Sequence, residues 1–194
     1  MRIAVYGAGG VGGYFGGRLA QAGADVHLIA RGAHLQVLRT HGLRVRSVKG
    51  DFAVRLPATD DPADVGPCDY VLFCVKAFDT EPAAVRLGPL LGEDTAVVSL
   101  QNGVDNEEKL ARVVGPAHVM GGAAFIFAGI SEPGVIVHTG GPTTSPSGSW
   151  TAGAPSGHNG CSPATSRPAS PPNCHRPSRR CCGPSSPSFA RRPA

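Results

Sequence analysis

A doubly wound, mostly parallel α/β sheet is predicted by three features of the sequence. An apolar run at residues 2–6 opens directly into Gly7, Ala8, Gly9, Gly10, Val11 and Gly12, which fit G-x-G-x-x-G. A helical stretch and a second apolar run follow before residue 31, and that strand, turn, helix and strand order gives the glycine turn its meaning. Strand-length apolar runs then alternate with helical stretches through residue 114, the pattern of a parallel sheet with helices on both faces.

Residues 2–6 (RIAVY) have the length and composition of a buried parallel strand. Gly7 permits the tight turn out of it, Gly9 lets backbone approach a pyrophosphate, and Gly12 lets the next helix pack close on the sheet. The helix N-terminus offers unpaired N–H groups and a partial positive charge to a diphosphate. The fold class is therefore Rossmann-type. The helix runs through Tyr14, Phe15, Leu19 and Ala20 and stops at Gly23, a good C′ residue. Residues 25–30 (DVHLIA) form the second buried strand. Dinucleotide units for NAD place Asp or Glu at this strand end, and those for NADP place Arg there. No carboxylate lies between Val26 and Thr40, and Arg31 sits at the strand end, so the site reads as NADP(H).

Residues 33–40 have helical spacing with Leu35 and Leu38 inward, and His41 and Gly42 end the helix. Residues 43–46 and 52–56 alternate apolar and basic around a turn at 48–51, a hairpin with its arginines toward water. Residues 69–75 form another buried strand and deliver Lys76 at its C-terminal end, where open α/β sheets bind ligands. Thr80 reads as the N-cap of the next helix, with Pro82 in its first turn. Residues 95–100 are a strand ending in Gln101, Asn102 and Gly103, and a helix over 106–113 follows with Glu107 and Glu108 at its positive end. Residues 118–127 and 134–138 read as strands joined by a turn at 131–134. Lys76 fits either a cation for cofactor phosphates or a solvated strand-end lysine. Asn102 fits either an amide beside a nicotinamide or carbonyl substrate, or an ordinary Asn-Gly turn.

The 194 residues divide sharply by charge. Residues 1–144 hold 12 Lys/Arg against 14 Asp/Glu, a net of −2, with no basic face for nucleic acid. No apolar run approaches the ~20 residues that span a bilayer, and a strand starting at residue 2 leaves no place for a signal peptide. Cys68 and Cys74 read as reduced thiols of a cytoplasmic protein.

The ordered set GAGGVGGYFGGRLAQAG, Arg31, FCVKAFD around Lys76, SLQNGVDNEEKL and GGAAFIFAGISEPGVIVHTG resembles the ketopantoate reductase (2-dehydropantoate 2-reductase) family over residues 1 to about 144. The resemblance implies NADPH-dependent reduction of 2-dehydropantoate to pantoate in pantothenate biosynthesis. It implies a small-molecule 2-oxo acid substrate and a homodimer in intact members. It sets Gly7, Ala8, Gly9, Gly10, Val11 and Gly12 on the pyrophosphate, Arg31 and Lys76 near the 2′-phosphate end, and Asn102 near the nicotinamide and substrate. A related reductase of another 2-oxo acid and an NADP-binding module without catalysis are the competing readings.

The family carries a helical C-terminal domain that supplies the catalytic lysine. Residues 145–194 here hold 11 Ser, 10 Pro, 6 Arg, 5 Gly and 4 Cys, with no Leu, Ile, Val, Met, Lys, Asp or Glu. Such a stretch buries no core and is expected to be a disordered tail, leaving a Rossmann domain at 1–144 and, with the family's lysine missing, no catalytic residue in this chain. The spacing of its His158, Cys161, Cys174, His175, Cys181 and Cys182 matches no structural zinc site, so no metal is expected. A shifted reading frame accounts for the composition. Codons permitted for residues 144–153, read from the third base, give LTFGELDGG, the continuation a family member carries. The same offset over residues 180–189 gives VLWAKFPIF, which resembles the family's segment around its catalytic lysine.

Overall fold

The computed structural model describes residues 1–141 and the backbone of Ser147–Ser149; the tail residues singled out above lie outside the described set. The chain order is β1 (Arg2–Tyr6), α1 (Gly10–Gln21), β2 (Asp25–Ile29), α2 (Gly32–His41), β3 (Leu43–Ser47), β4 (Phe52–Val54), β5 (Ala58–Thr59) and β6 (Tyr70–Phe73). It continues with α3 (Thr80–Ala84), β7 (Ala96–Ser99), α4 (Asn106–Val114), β8 (Val119–Gly122), β9 (Phe127–Glu132), β10 (Val135–Gly140) and β11 (Ser147–Ser149).

The main sheet runs β11-β8-β7-β6-β1-β2-β5, parallel from β8 to β5, with β11 antiparallel at its edge. The chain moves outward from β1 through β2 to β5, then returns to the other side of β1 as β6. The β1/β6 boundary is thus the point where strand order reverses, and open sheets bind ligands beyond the strand ends there. Alternate residues of β1 serve the two faces of the sheet. Ala4 and Tyr6 pack with Phe73, Val97, Leu87 and Leu110 on the α3/α4 side. Ile3 and Val5 pack with Leu28, Leu35, Leu43 and Ile136 on the α1/α2 side. Burying a side chain such as Phe73, which is fully enclosed, contributes roughly 1.5–3 kcal/mol.

The helix after β1 ends as its sequence predicts: Gly23 takes φ +88°, and its N–H bonds the Ala20 carbonyl. The predicted hairpin forms as β3 and β4, with Arg44, Arg46 and Arg55 exposed. It is half of a second, four-stranded sheet, β4-β3-β10-β9, in which β3 pairs parallel with β10. The strand expected over 118–127 is two strands in different sheets: β8 stays in the main sheet and β9 crosses to the second. Gly122 marks the departure, packed against the Leu100 side chain where a Cβ would not fit. Strand β11 pairs antiparallel with β8, covering an edge that would otherwise leave ladder groups unpaired.

Thr80 is not an N-cap. It is the first residue of α3, follows a 3-10 turn, and is buried. Its hydroxyl accepts from Gln101 Nε2 at 2.8 Å and lies 2.8 Å from the Ala77 carbonyl and 3.3 Å from Asn106 Oδ1. A tertiary network therefore claims the hydroxyl that local sequence assigns to capping. Gln101 Nε2 also donates to the Val75 carbonyl at 3.0 Å, so the network ties the loop after β6 to the end of β7.

Candidate functional site

The loop after β1 is held by the end of β2. The Gly7 and Ala8 N–H groups both donate to the Ile29 carbonyl at 3.1 Å, and Gly9 N–H donates to Gly7 at 2.8 Å. Gly7 has φ +97°, and a Cβ there would lie 3.0 Å from the Cys74 backbone. Gly12 is equally constrained by protein atoms, since its Cβ would collide with the Gly7 carbonyl oxygen and the Val5 side chain. Gly10 is pressed against the Ala128 carbonyl of β9. Gly9 differs. Its backbone is extended (φ −77°, ψ −156°), and a Cβ on it would meet no heavy atom within 4 Å. The protein itself does not require glycine at residue 9, so the open space beside it fits a ligand that approaches the backbone closely.

Behind this loop, α1 starts with neither a side-chain cap nor an acid in its first turn. Its first N–H groups lack helical partners and carry the positive end of the dipole. Gly10, Val11 and Gly12 form that turn. In front of it, a cleft of about 430 Å³ lies across the ends of β1, β2 and β6. Gly7, Ala8 and Gly9 line one wall, and Arg31, Lys76 and Asp79 line others. Arg31 occupies the N-cap position of α2, and its guanidinium reaches Asp79 at 3.2 Å. Arg31 is 76% exposed, so the pair is worth at most about 1 kcal/mol and exchanges easily for a stronger anion. Lys76 is exposed on the cleft rim and makes no ion pair among the described residues. The structure thus brings Gly7, Ala8, Gly9, Arg31 and Lys76 together. Asn102 lies at the end of β7, exposed and outside the cleft lining, and its backbone carbonyl accepts from Asn106 Nδ2 at 3.1 Å.

Cys68 and Cys74 are free thiols. Burial pushes the Cys74 thiol up to about 12, so on the cleft floor it is a neutral wall rather than a nucleophile.

Sequence reasoning missed His34, Arg86, Asp60 and Asp79. His34 Nδ1 accepts from the Gly134 N–H at 3.0 Å, which leaves the ring proton on Nε2 to donate to the Ala8 carbonyl at 2.9 Å. One neutral ring therefore ties the glycine loop to the β9–β10 turn. Burial lowers its pKa from the usual 6.5, opposed in part by the bond to Ala8. Above about 6.5 both the folded and the unfolded chain carry a neutral ring. As pH falls below that value the unfolded chain takes the proton first, so the stabilisation declines toward the depressed folded value. The urea midpoint is therefore expected to fall between pH 7.5 and 5.5, and to fall less steeply in His34→Gln. Equal slopes in the two proteins would remove this role. The only sequence signal for His34 is its place three residues after Arg31, in the first turn of α2.

The strand order, the glycine turn and the cleft at the reversal point define a Rossmann-type α/β domain. The chain belongs to the ketopantoate reductase family: the family described as Ketopantoate reductase PanE/ApbA matches residues 3–150. The 2-dehydropantoate 2-reductase of Mesorhizobium japonicum is 32% identical over 159 residues, covering 71% of this chain and 49% of that relative. The enzyme of that name from Halobacterium salinarum is 38% identical, covering 74% and 48%. The chain spans about half the length of the curated relatives it matches. Among solved structures, the 2-dehydropantoate 2-reductase of Porphyromonas gingivalis W83 superposes with a TM-score of 0.68 at 41% identity, covering 72% of this chain and 51% of that one. A ternary structure of D-mandelate dehydrogenase with NADH and anilino(oxo)acetate superposes at 0.67 with 29% identity, covering 72% and 46%. Among the described residues, no helix is long and apolar enough to cross a membrane.

Proposed function

We propose that residues 1–144 are the NADP(H)-binding half of a cytoplasmic ketopantoate reductase, and that this 194-residue chain binds the cofactor without turning over. The observation that carries the binding reading is Gly9, a glycine that the surrounding protein does not need, facing a cleft with Arg31 and Lys76 on its rim. Gly7, Ala8 and Gly9, backed by the first turn of α1 (Gly10, Val11 and Gly12), hold the pyrophosphate. Arg31 holds the 2′-phosphate in fork geometry, with Lys76 as its companion. When bound there, NADPH would supply a hydride to the carbonyl carbon of a 2-oxo acid. Asn102 is the residue proposed at the nicotinamide and substrate end.

The likeness to D-mandelate dehydrogenase supports a second substrate reading, a different 2-oxo acid on the same scaffold. It also makes the cofactor choice a matter for measurement, because that structure holds NADH. Arg31→Ala is expected to weaken NADPH binding by about 10- to 100-fold, the value of a hydrogen bond to a charged group. NADH affinity is expected to change by less than about twofold in the same variant. Fluorescence titration with both nucleotides reads this directly, and an equal loss for the two would place Arg31 away from the 2′-phosphate.

Residues 145–194 are proposed to be an out-of-frame translation of the family's C-terminal half. Their composition, with no aliphatic residue larger than alanine, supports this, as do the two family-like segments recovered at one offset.

A further inference from the structure

Three cations line the cleft, and the site described so far uses only Arg31 and Lys76. The third is Arg86, on the 3-10 segment Val85–Leu90 that follows α3. Its Nη2 donates to the Asp60 main-chain carbonyl at 3.0 Å, beyond the end of β5. The Asp60 carboxylate is engaged elsewhere, by Arg39 Nη2 at 3.2 Å. Arg86 is therefore steered by a neutral carbonyl and makes no ion pair among the described residues. Arg31 is in the opposite condition, with its charge already compensated by Asp79 at 3.2 Å.

Both guanidiniums line the same cleft as the Tyr6 phenol, which burial pushes up and which Arg86 and then Arg31 pull back. A phosphate monoester carries about −1.5 to −2 charges at pH 7. With Arg31 shared with Asp79, Arg31 and Lys76 leave part of that charge unbalanced, and Arg86 on the same cleft supplies the remaining positive charge.

We infer that Arg86 is a specificity-determining residue for the adenosine 2′-phosphate, acting from the cleft it shares with Arg31 and Lys76. The inference rests on the NADP(H) reading above. It assigns selectivity to a residue outside the glycine loop and outside the end of β2, where sequence reasoning looks for it.

The test uses the full 194-residue chain with NADPH and NADH as probes, in wild type, Arg31→Ala, Arg86→Ala and Arg86→Lys, with thermal melting of each. Arg86→Ala is expected to weaken NADPH binding about tenfold while NADH binding moves less than about twofold, and Arg86→Lys is expected to recover part of the loss. Arg86 is exposed, so the melting temperature is expected to hold. If wild type fails to prefer NADPH, the cofactor reading falls and this inference falls with it. If wild type prefers NADPH and Arg31→Ala removes the preference while Arg86→Ala keeps it, the cofactor reading stands and the inference is overturned. Equal losses of NADPH and NADH in Arg86→Ala also overturn it, since Arg86 would then serve the shared part of the nucleotide.

Discussion

Alanine at Gly12 is expected to lower stability by about 3 kcal/mol, and alanine at Gly9 is expected to leave the fold nearly intact while removing most nucleotide binding. The two glycines stand three residues apart in one turn, and different atoms enforce them. At Gly12 the added methyl meets the Gly7 carbonyl and the Val5 side chain, and backbone there cannot retreat without opening the turn. A loss near 3 kcal/mol in a domain of this size lowers the melting temperature by ~10 °C. Gly10→Ala is expected to behave alike, because the Ala128 carbonyl of β9 blocks it. At Gly9 the methyl enters open space. Its cost as a poorer N-cap and its gain in unfolded-state entropy offset each other to within about 1 kcal/mol. The same methyl stands where a pyrophosphate must approach the backbone, so affinity is expected to fall tenfold or more. Thermal melting and NADPH titration of the three variants separate the two effects.

The second large effect concerns turnover. Purified 194-residue chain is expected to form no pantoate above an enzyme-free control, and a gene repaired to the offset frame after residue 144 is expected to restore activity. Reduction of a 2-oxo acid requires a proton at the carbonyl oxygen, and a positioned general acid contributes about 10²–10⁴-fold. Residues 145–194 contain no lysine to supply it. Cys74 on the cleft floor is held as a thiol near 12, and the His34 proton is committed to the Ala8 carbonyl. The coding sequence provides a direct check: stop codons in the offset frame over residues 145–194 would sink the frame explanation. Pantoate formation by the unrepaired chain would sink the claim of inactivity.

The buried strands were legible because a parallel strand covered on both faces is a continuous apolar run, as RIAVY and YVLF are. The glycine turn was legible because backbone requirements at Gly7 and Gly12 are local. The second sheet was not. Arg44 pairs with Val135, 91 residues further along the chain, and no local signal marks which distant strand a hairpin edge will meet. The break after β8 is a packing event, set by Leu100 against Gly122. Thr80 obeyed cap statistics in sequence and the half-buried Gln101 amide in the fold. At the site, Arg31 was readable from its place at a strand end. Arg86 and His34 look like ordinary helix-surface residues until the Asp60 carbonyl and the Gly134 N–H come to meet them.

The cleft beside Gly9 is expected to bind a dinucleotide in the 194-residue chain. Calorimetric titration of the purified 194-residue protein with NADPH, run beside Gly9→Ala, tests it most directly. Saturable one-site binding to the wild type is expected, with binding at least tenfold weaker to a variant that melts within a few degrees of it. Equal binding to both proteins, or no saturable heat from the wild type, would contradict it.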